Sequence, residues 1–403
     1  MNRATLLSLL LCATTLTMPL SKVLGQGSDT AGKASIKVIE KTYRRIPKEL
    51  KAWSAEKKKV DKAYADLKKR GRAKKADAYI KRQWPKLHGL DSNRRGAYLD
   101  LMRCFVERKG IDLVDKNSSK DMQVSLRIVA RQLYDAGKMQ EAALHYEKVL
   151  ELSTKPEADI YKRTTFLPLS YLGIGEPDKA VAICKSAFPL VQGSGKQSAW
   201  IHLGHIYNAI GDVDAAKQQW KLAADTAGGG SAQRTLRAYG LEAVDLTKAI
   251  WVGGKKKPIA KLGCKAAIIA FLNTSGSLSR RVMVLMDDYH EAYGKSGLCV
   301  LGVVQPQTRG FMPSRKYPRE FGLGDVRIPK KGMLKYLKQY RKNLQLGYPL
   351  LIGSQAEAAY YGVRHKGDFV VLDSSGRVAM ISNGTGSLPF AKALVKRLLK
   401  EAR

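Results

Sequence analysis

The 403-residue chain carries 71 Lys and Arg against 35 Asp and Glu, a formal net charge of +36. That length is too great for one compact core and points to two or three domains, and the charge would attract any polyanion, whether acidic protein, anionic headgroup, envelope polysaccharide or nucleic acid. The five cysteines include no CxxC pair, which excludes a disulfide-dense scaffold and thiolate zinc spacing.

Residues 1–25 read as a secretory signal peptide. Arg3 gives a short basic start, Leu6 to Leu20 is mostly apolar, and Val23-Leu24-Gly25 offers small residues for cleavage near Gln26. The apolar run is shorter than a spanning helix needs, and Cys12 lies too early for a lipid anchor. Removing Arg3 and Lys22 leaves about +34 on an exported chain of the periplasm or cell envelope.

Residues 26–120 form a basic helical region. Between 41 and 110 there are 23 Lys or Arg and 8 Asp or Glu, with Lys57-Lys58-Lys59 and Lys68-Lys69-Arg70 interleaved by Val60, Tyr64 and Leu67. That pattern predicts amphipathic helices with a lysine-rich outer face, and a polyanion-binding arm is the sharper alternative.

Residues 121–252 repeat. Ala142, Ala180 and Ala216 stand 38 and 36 residues apart, each between a glycine turn and a large apolar or thiol position: Gly137 and Tyr146, Gly175 and Cys184, Gly211 and Trp220. The pattern resembles the tetratricopeptide repeat, whose helix pairs stack into a solenoid, and the third copy, Trp200 to Tyr207, matches best. The second copy has Pro168 where a small helix former belongs, which predicts a kink. The resemblance implies groove-facing positions at Arg127, Arg131 and Tyr134 in the first copy and at Ile201, His205 and Asn208 in the third. Two arginines one turn apart favour an acidic or carboxylate-ended segment as partner. His202 and His205 share a helix face, but no carboxylate or cysteine stands at ligand spacing, so they read as core or groove residues rather than metal ligands.

The glycines at 228–230 and Gly253-Gly254-Lys255-Lys256-Lys257-Pro258 break the helical pattern, the second break being the domain boundary. From 258 to 403 the texture is alternating α and β: a buried strand at 266–271, a helix at 278–293, a strand at 298–304, a helix at 331–344, a strand at 349–352, a hairpin of 369–373 with 378–382, and a helix at 389–402. Asp287, Asp288, His290 and Glu291 fall on the exposed side of their helix. The segment from Gln307 to Tyr340 is a basic insertion carrying Arg309, Arg315, Lys316, Arg319, Arg327, Lys330, Lys331, Lys335 and Lys338.

Phe271 to Arg281, Tyr361-Gly362-Val363-Arg364 and Phe369 to Arg377 resemble the thioredoxin-like domain of exported thiol-disulfide oxidoreductases and peroxiredoxins. The resemblance implies an α/β thioredoxin-like domain at 258–403 with its redox pair at Gly276 and Ser279 and its cis-proline position at Gly367. That chemistry requires a thiolate at a helix start and a second thiol three residues on. Neither position has sulfur, and a non-proline cis bond is costly, so the 365–368 loop is expected trans. The four mature cysteines, Cys104, Cys184, Cys264 and Cys299, read as isolated buried thiols, with a single structural bridge as the alternative.

What remains at the helix start is Thr274, Ser275, Ser277, Arg280 and Arg281, a candidate anion site whose plainer reading is a helix capped by Ser277. There is no phosphate loop, nucleophile elbow or zinc helix. The sequence therefore predicts an α-helical repeat followed by a thioredoxin-like domain in a non-catalytic binding protein with no cofactor. Its competitors are a thiol-disulfide or peroxide-handling enzyme using another thiol, and an envelope protein binding polyanions by charge alone.

Overall fold

The computed structural model describes residues 29–403 apart from 71, 108–110, 155–158, 227, 255, 314–321, 330, 364, 383–384 and 403, so the segment expected to be a signal peptide and Arg315, Lys316, Arg319 and Lys330 lie outside the described residues. The chain divides into two compact units, one ending at Asp159 and one spanning Ile160–Arg403. The partition cuts through the repeats and leaves the second and third copies with the thioredoxin-like domain.

In the first unit, α1 (Asp29–Lys69) and α2 (Ala73–Glu107) pair as a hairpin, and α3 (Lys120–Asp135) packs on both. With 41 residues, α1 runs roughly 60 Å. Its apolar stripe buries Ile39, Ile46 and Val60 against Leu87, Leu101 and Phe105 of α2, while Lys58, Lys59 and Lys69 face solvent. Arg45 pairs with Asp100 and Arg44 with Asp121, each at 2.8 Å; both pairs are exposed and fix register more than stability. Ser119 caps α3 by accepting from the Met122 N–H, and α4 (Met139–Glu151) returns against α3 after Gly137. Ala142, fully buried, lets those two helices approach.

The second unit opens with a π turn, Lys162–Phe166, that runs into α5 (Leu167–Gly173). Pro168 explains it: proline has no N–H to continue the ladder, and the Leu167 N–H bonds instead to the Lys162 carbonyl five residues back. The expected irregularity is therefore a π turn at the start of the pair. Then come α6 (Pro177–Lys185), α7 (Gly193–Ile210), α8 (Val213–Ala224) and α9 (Gly230–Ala238), with α5 against α6, α7 against α8, and α9 closing on α8. Gly204 is required where α7 meets α8, because a Cβ there would lie 2.3 Å from Trp220 Nε1.

The sheet has six strands in the order β1-β6-β3-β2-β7-β8: β1 (Ile250–Val252), β2 (Ala266–Leu272), β3 (Leu298–Val304), β6 (Leu350–Ile352), β7 (Phe369–Leu372) and β8 (Val378–Ile381). β3 runs parallel to β2 and β6 parallel to β3; β7 and β8 continue antiparallel, and β1 is antiparallel to β6. β1 precedes the break at 253–258, so this sheet begins before residue 258, where the sequence sets its boundary. β2 is buried along its whole length, as a central parallel strand must be. α10 (Ser277–Tyr293) crosses from β2 to β3, α11 (Met333–Leu344) precedes β6, α12 (Gln355–Tyr360) follows it, and α13 (Leu388–Glu401) closes the chain. α10 and α13 both contact β2, and Tyr289 donates to the Leu388 carbonyl at 2.9 Å. Ile269, Phe271, Leu301, Val303, Val370 and Leu372 form one core with Tyr361 and Leu246. The basic insertion folds into a separate ribbon of β4 (Arg309–Pro313) and β5 (Gly322–Arg327).

Candidate functional site

The C-terminal end of β2 delivers the chain into α10, where the resemblance places redox chemistry. Asn273 and Thr274 are buried there, and Asn273 Oδ1 accepts from the Gly276 N–H at 2.8 Å. Gly276, not Ser277, is the N-cap residue, and it supplies no side-chain cap. Ser277 is the first helical residue, and its side chain lies outside the described residues. The first helical bond runs from Arg280 N to Gly276 O, so the N–H groups of Ser277, Leu278 and Ser279 precede it.

Gly367 lies across this turn. A Cβ on it would sit 3.6 Å from Ser279 N and 3.3 Å from Leu278 Cγ, and its own N–H donates to the Phe271 carbonyl at 2.6 Å. Gly276, Ser279 and Gly367 thus meet at one helix start. Gly367 has φ +110°, a left-handed backbone that proline cannot adopt, and no described peptide bond is cis. Ser279 is 1% exposed, and its hydroxyl has no hydrogen-bond partner. A hydroxyl there cannot form a disulfide.

The five candidate anion residues do not form one cradle. Thr274 is fully buried, its hydroxyl bonded to Gln307 Nε2 and 2.7 Å from the Tyr336 hydroxyl. The Arg280 guanidinium donates to the Ser275 carbonyl at 2.9 Å and lies 4.0 Å above the Phe311 ring. Among the described side chains of the five, Ser275 and Arg281 stay exposed. The cause is the insertion: the Phe311 N–H donates to the Thr274 carbonyl at 3.2 Å, laying β4 beside the turn. Gly310 permits this approach, since a Cβ would come within 2.3 Å of the Tyr336 hydroxyl. Gln307, Gly310, Phe311 and Tyr336 carry no motif in the sequence; the glycine between Arg309 and Phe311 is the one local signal.

Sulfur sits at the other end of the sheet. Cys264 and Cys299 form a disulfide, with Cα atoms 5.7 Å apart. This corrects the reading of isolated thiols for those two and matches the alternative of one bridge. Cys264 precedes β2 and Cys299 pairs in register with Ala267, so the bridge ties the N-terminal ends of the two central parallel strands. The seven residues of β2 separate it from Asn273 by roughly 23 Å along the strand. Cys184 is fully buried, and burial pushes its thiol well above the ordinary range; Cys104 lies 3.7 Å from the Thr42 hydroxyl.

The groove positions assigned to the third repeat are occupied by this domain itself. His205 and Asn208 are buried at 3% and 1% exposure. The His205 ring stacks 5.3 Å from Phe390 of α13, and Asn208 donates to the Ala379 carbonyl of β8 at 2.9 Å. Ile201 is half-buried against Ala223, Ala224 and Ala232. These three therefore pack within the second unit: His205 against α13, Asn208 against β8 and Ile201 against α8 and α9. Burial pushes the His205 imidazole down to about 3 and that of His202, which bonds to Thr164 at 2.9 Å, down to about 4. In the first copy Arg127 is exposed, Arg131 pairs with Asp135 at 2.8 Å, and Tyr134 is buried. Asp287, read from sequence as exposed, is 2% exposed and accepts from the Gly347 N–H at 2.8 Å.

Among the described residues no group of His, Cys, Asp and Glu has metal-binding geometry, and no helix is long and apolar enough to cross a membrane. A parallel β2–β3 pair joined by α10, an antiparallel β7–β8 pair and a closing helix on the α10 face define a thioredoxin-like domain. Its helix start carries Gly276 and Ser279, with no cysteine at either position. No family model matches the chain, and none of the curated proteins does. Similar solved structures include a thioredoxin-like protein in its oxidised form (16% identity, 41% of this chain and 98% of that one, TM-score 0.31). A putative protein disulfide isomerase of Bacteroides thetaiotaomicron gives 18% identity over 40% of this chain and 90% of that one, TM-score 0.29. Peroxiredoxin Q of Xanthomonas campestris gives 12% identity over 41% and 99%, TM-score 0.27.

Proposed function

We propose that the chain is an exported, non-catalytic binding protein whose helical pairs engage a protein or peptide and whose thioredoxin-like domain is a binding module. The observation that carries this is the helix start itself: Gly276, Ser279 and Gly367 meet there without sulfur. Export to the periplasm or cell envelope is supported by the leader-like residues 1–25 and by the Cys264–Cys299 bridge, which persists in oxidising compartments. With His205 and Asn208 buried inside the second unit, partner recognition by the tetratricopeptide-like pairs falls to the first pair, where exposed Arg127, with Arg131 one turn on, favours an acidic or carboxylate-ended segment. The test is turnover. Reduction of insulin disulfides and consumption of hydroperoxide should both stay at background, and turnover by the wild-type chain would defeat the reading.

A second reading has one observation in its favour. Cys264 and Cys299 are both half-buried, so the domain does hold a disulfide, and thiol–disulfide exchange through it would make the chain an oxidoreductase with a relocated site. Its reduction potential separates the readings: below about −300 mV marks a structural bridge, and about −200 mV marks an exchanging one.

A further inference from the structure

Beside β5 and α11 lies an open groove of about 630 Å³, within the roughly 300–1,000 Å³ typical of ligand sites. Its floor is aliphatic, formed by Met312, Val326, Ile328 and the exposed side chain of Leu334. Its rim is cationic: Arg327, Lys335, Lys338 and Lys342 all border it, all are exposed, and among the described lining residues there is no carboxylate. Lys335, Lys338 and Lys342 stand at i, i+3 and i+7, one row along α11 of roughly 10 Å. The helix dipole accounts for Lys342 in the last turn, but not for the start of the row. Lys335 sits in the first turn, against the helix dipole, and that turn contains no acid.

Resting on the reading of this domain as a binding module, we propose that the groove takes an extended acidic peptide segment, apolar side chains on the floor and carboxylates on the lysine row. Successive lysines are separated by roughly 4.5–6 Å of helix rise, close to the ~6.6 Å between same-side residues of an extended chain. A floor without an open aromatic face offers nucleobases nothing to stack on. Tyr336, the one ring among the described lining residues, is 7% exposed with its hydroxyl held at Thr274 and Phe311.

The experiment is fluorescence anisotropy on the full chain with a labelled nonapeptide of alternating glutamate and leucine. Its glutamine analogue, an oligothymidylate and phosphatidylglycerol vesicles serve as further probes. The acidic peptide should bind, the glutamine analogue should bind on the order of tenfold more weakly, and Lys338→Glu with Lys342→Glu should cost a similar factor. Leu334→Ser should weaken binding several-fold, while Lys396→Glu with Lys400→Glu on α13 should change it less than twofold. Equal binding by wild type and the Lys338/Lys342 variant overturns the proposal. So does an equal loss in the α13 variant, or displacement of the peptide by oligothymidylate or vesicles at lower concentration. Matched thermal melts show that each variant is folded. Insulin and peroxide assays on the same preparations report separately on the non-catalytic reading, so either can fail alone.

Discussion

The two ends of β2 make an instructive pair. At its C-terminal end the chain turns into α10 with N–H groups ahead of the first helical bond and Gly367 packed across the turn, the surroundings that elsewhere lower a thiol's pKa, yet no sulfur is present. At its N-terminal end there is no such helix start, and there the chain places a disulfide. A helix start of that geometry thus stands without sulfur, while the described disulfide ties two strands together. Fold and chemistry separate cleanly within one strand, which is why function must be argued from the site rather than from the fold.

The largest effect in breaking that comparison should come from the bridge. It closes a loop of 35 residues, so Cys264→Ser with Cys299→Ser should lower unfolding free energy by about 3–4 kcal/mol, read from denaturant midpoints. A loss under about 1 kcal/mol would mean that the bridge is no staple. At the opposite end, Gly367→Pro should destabilise by about 3 kcal/mol. It forces φ from +110° to the proline range and removes the N–H that bonds to Phe271. A variant as stable as wild type would show that this loop accepts a proline.

Acid should act at neither end. His205 is neutral when folded, its pKa held near 3 by burial, against about 6.5 when unfolded. The unfolded chain therefore binds the extra proton as pH falls below 6.5. Stability is complete above that value and is lost toward pH 3, by up to about 1.4 kcal/mol per pH unit. His202 adds in the same direction, lost toward about 4, although its partial exposure softens the effect. His205→Phe should flatten the pH profile of the melting temperature by about one proton; an unchanged slope would move the acid sensitivity elsewhere.

The smallest effect should be the one that restores chemistry. Gly276→Cys with Ser279→Cys, leaving Gly367 in place, should give weak insulin reduction, since the helix start favours a thiolate. The Gly276 substitution must first displace Asn273, whose Oδ1 would lie 2.7 Å from the new Cβ. Adding Asn273→Ser should raise the rate. A folded double variant that stays inert in both forms would count against this helix start as the site.

Sequence alone determined the longer elements of the thioredoxin-like domain, though not β1, the β4–β5 ribbon or α12, because the longer ones carry local signals: β2 is a continuous apolar run, β3 begins and ends at Leu298 and Val304, and α13 carries an unbroken apolar stripe. It also determined that Gly276 and Ser279 hold no sulfur, since a missing atom needs no tertiary structure to be recognised. What only the tertiary structure decided were pairings between distant residues. Parallel packing of β2 on β3 brings Cys264 to Cys299, α13 and β8 cover His205 and Asn208 that repeat spacing alone would open to a partner, and β4 closes over Thr274 and Arg280. Residue spacing fixes which face of an element a side chain shares. The neighbour that covers that face is set by long-range packing, which leaves no periodic signal in the chain.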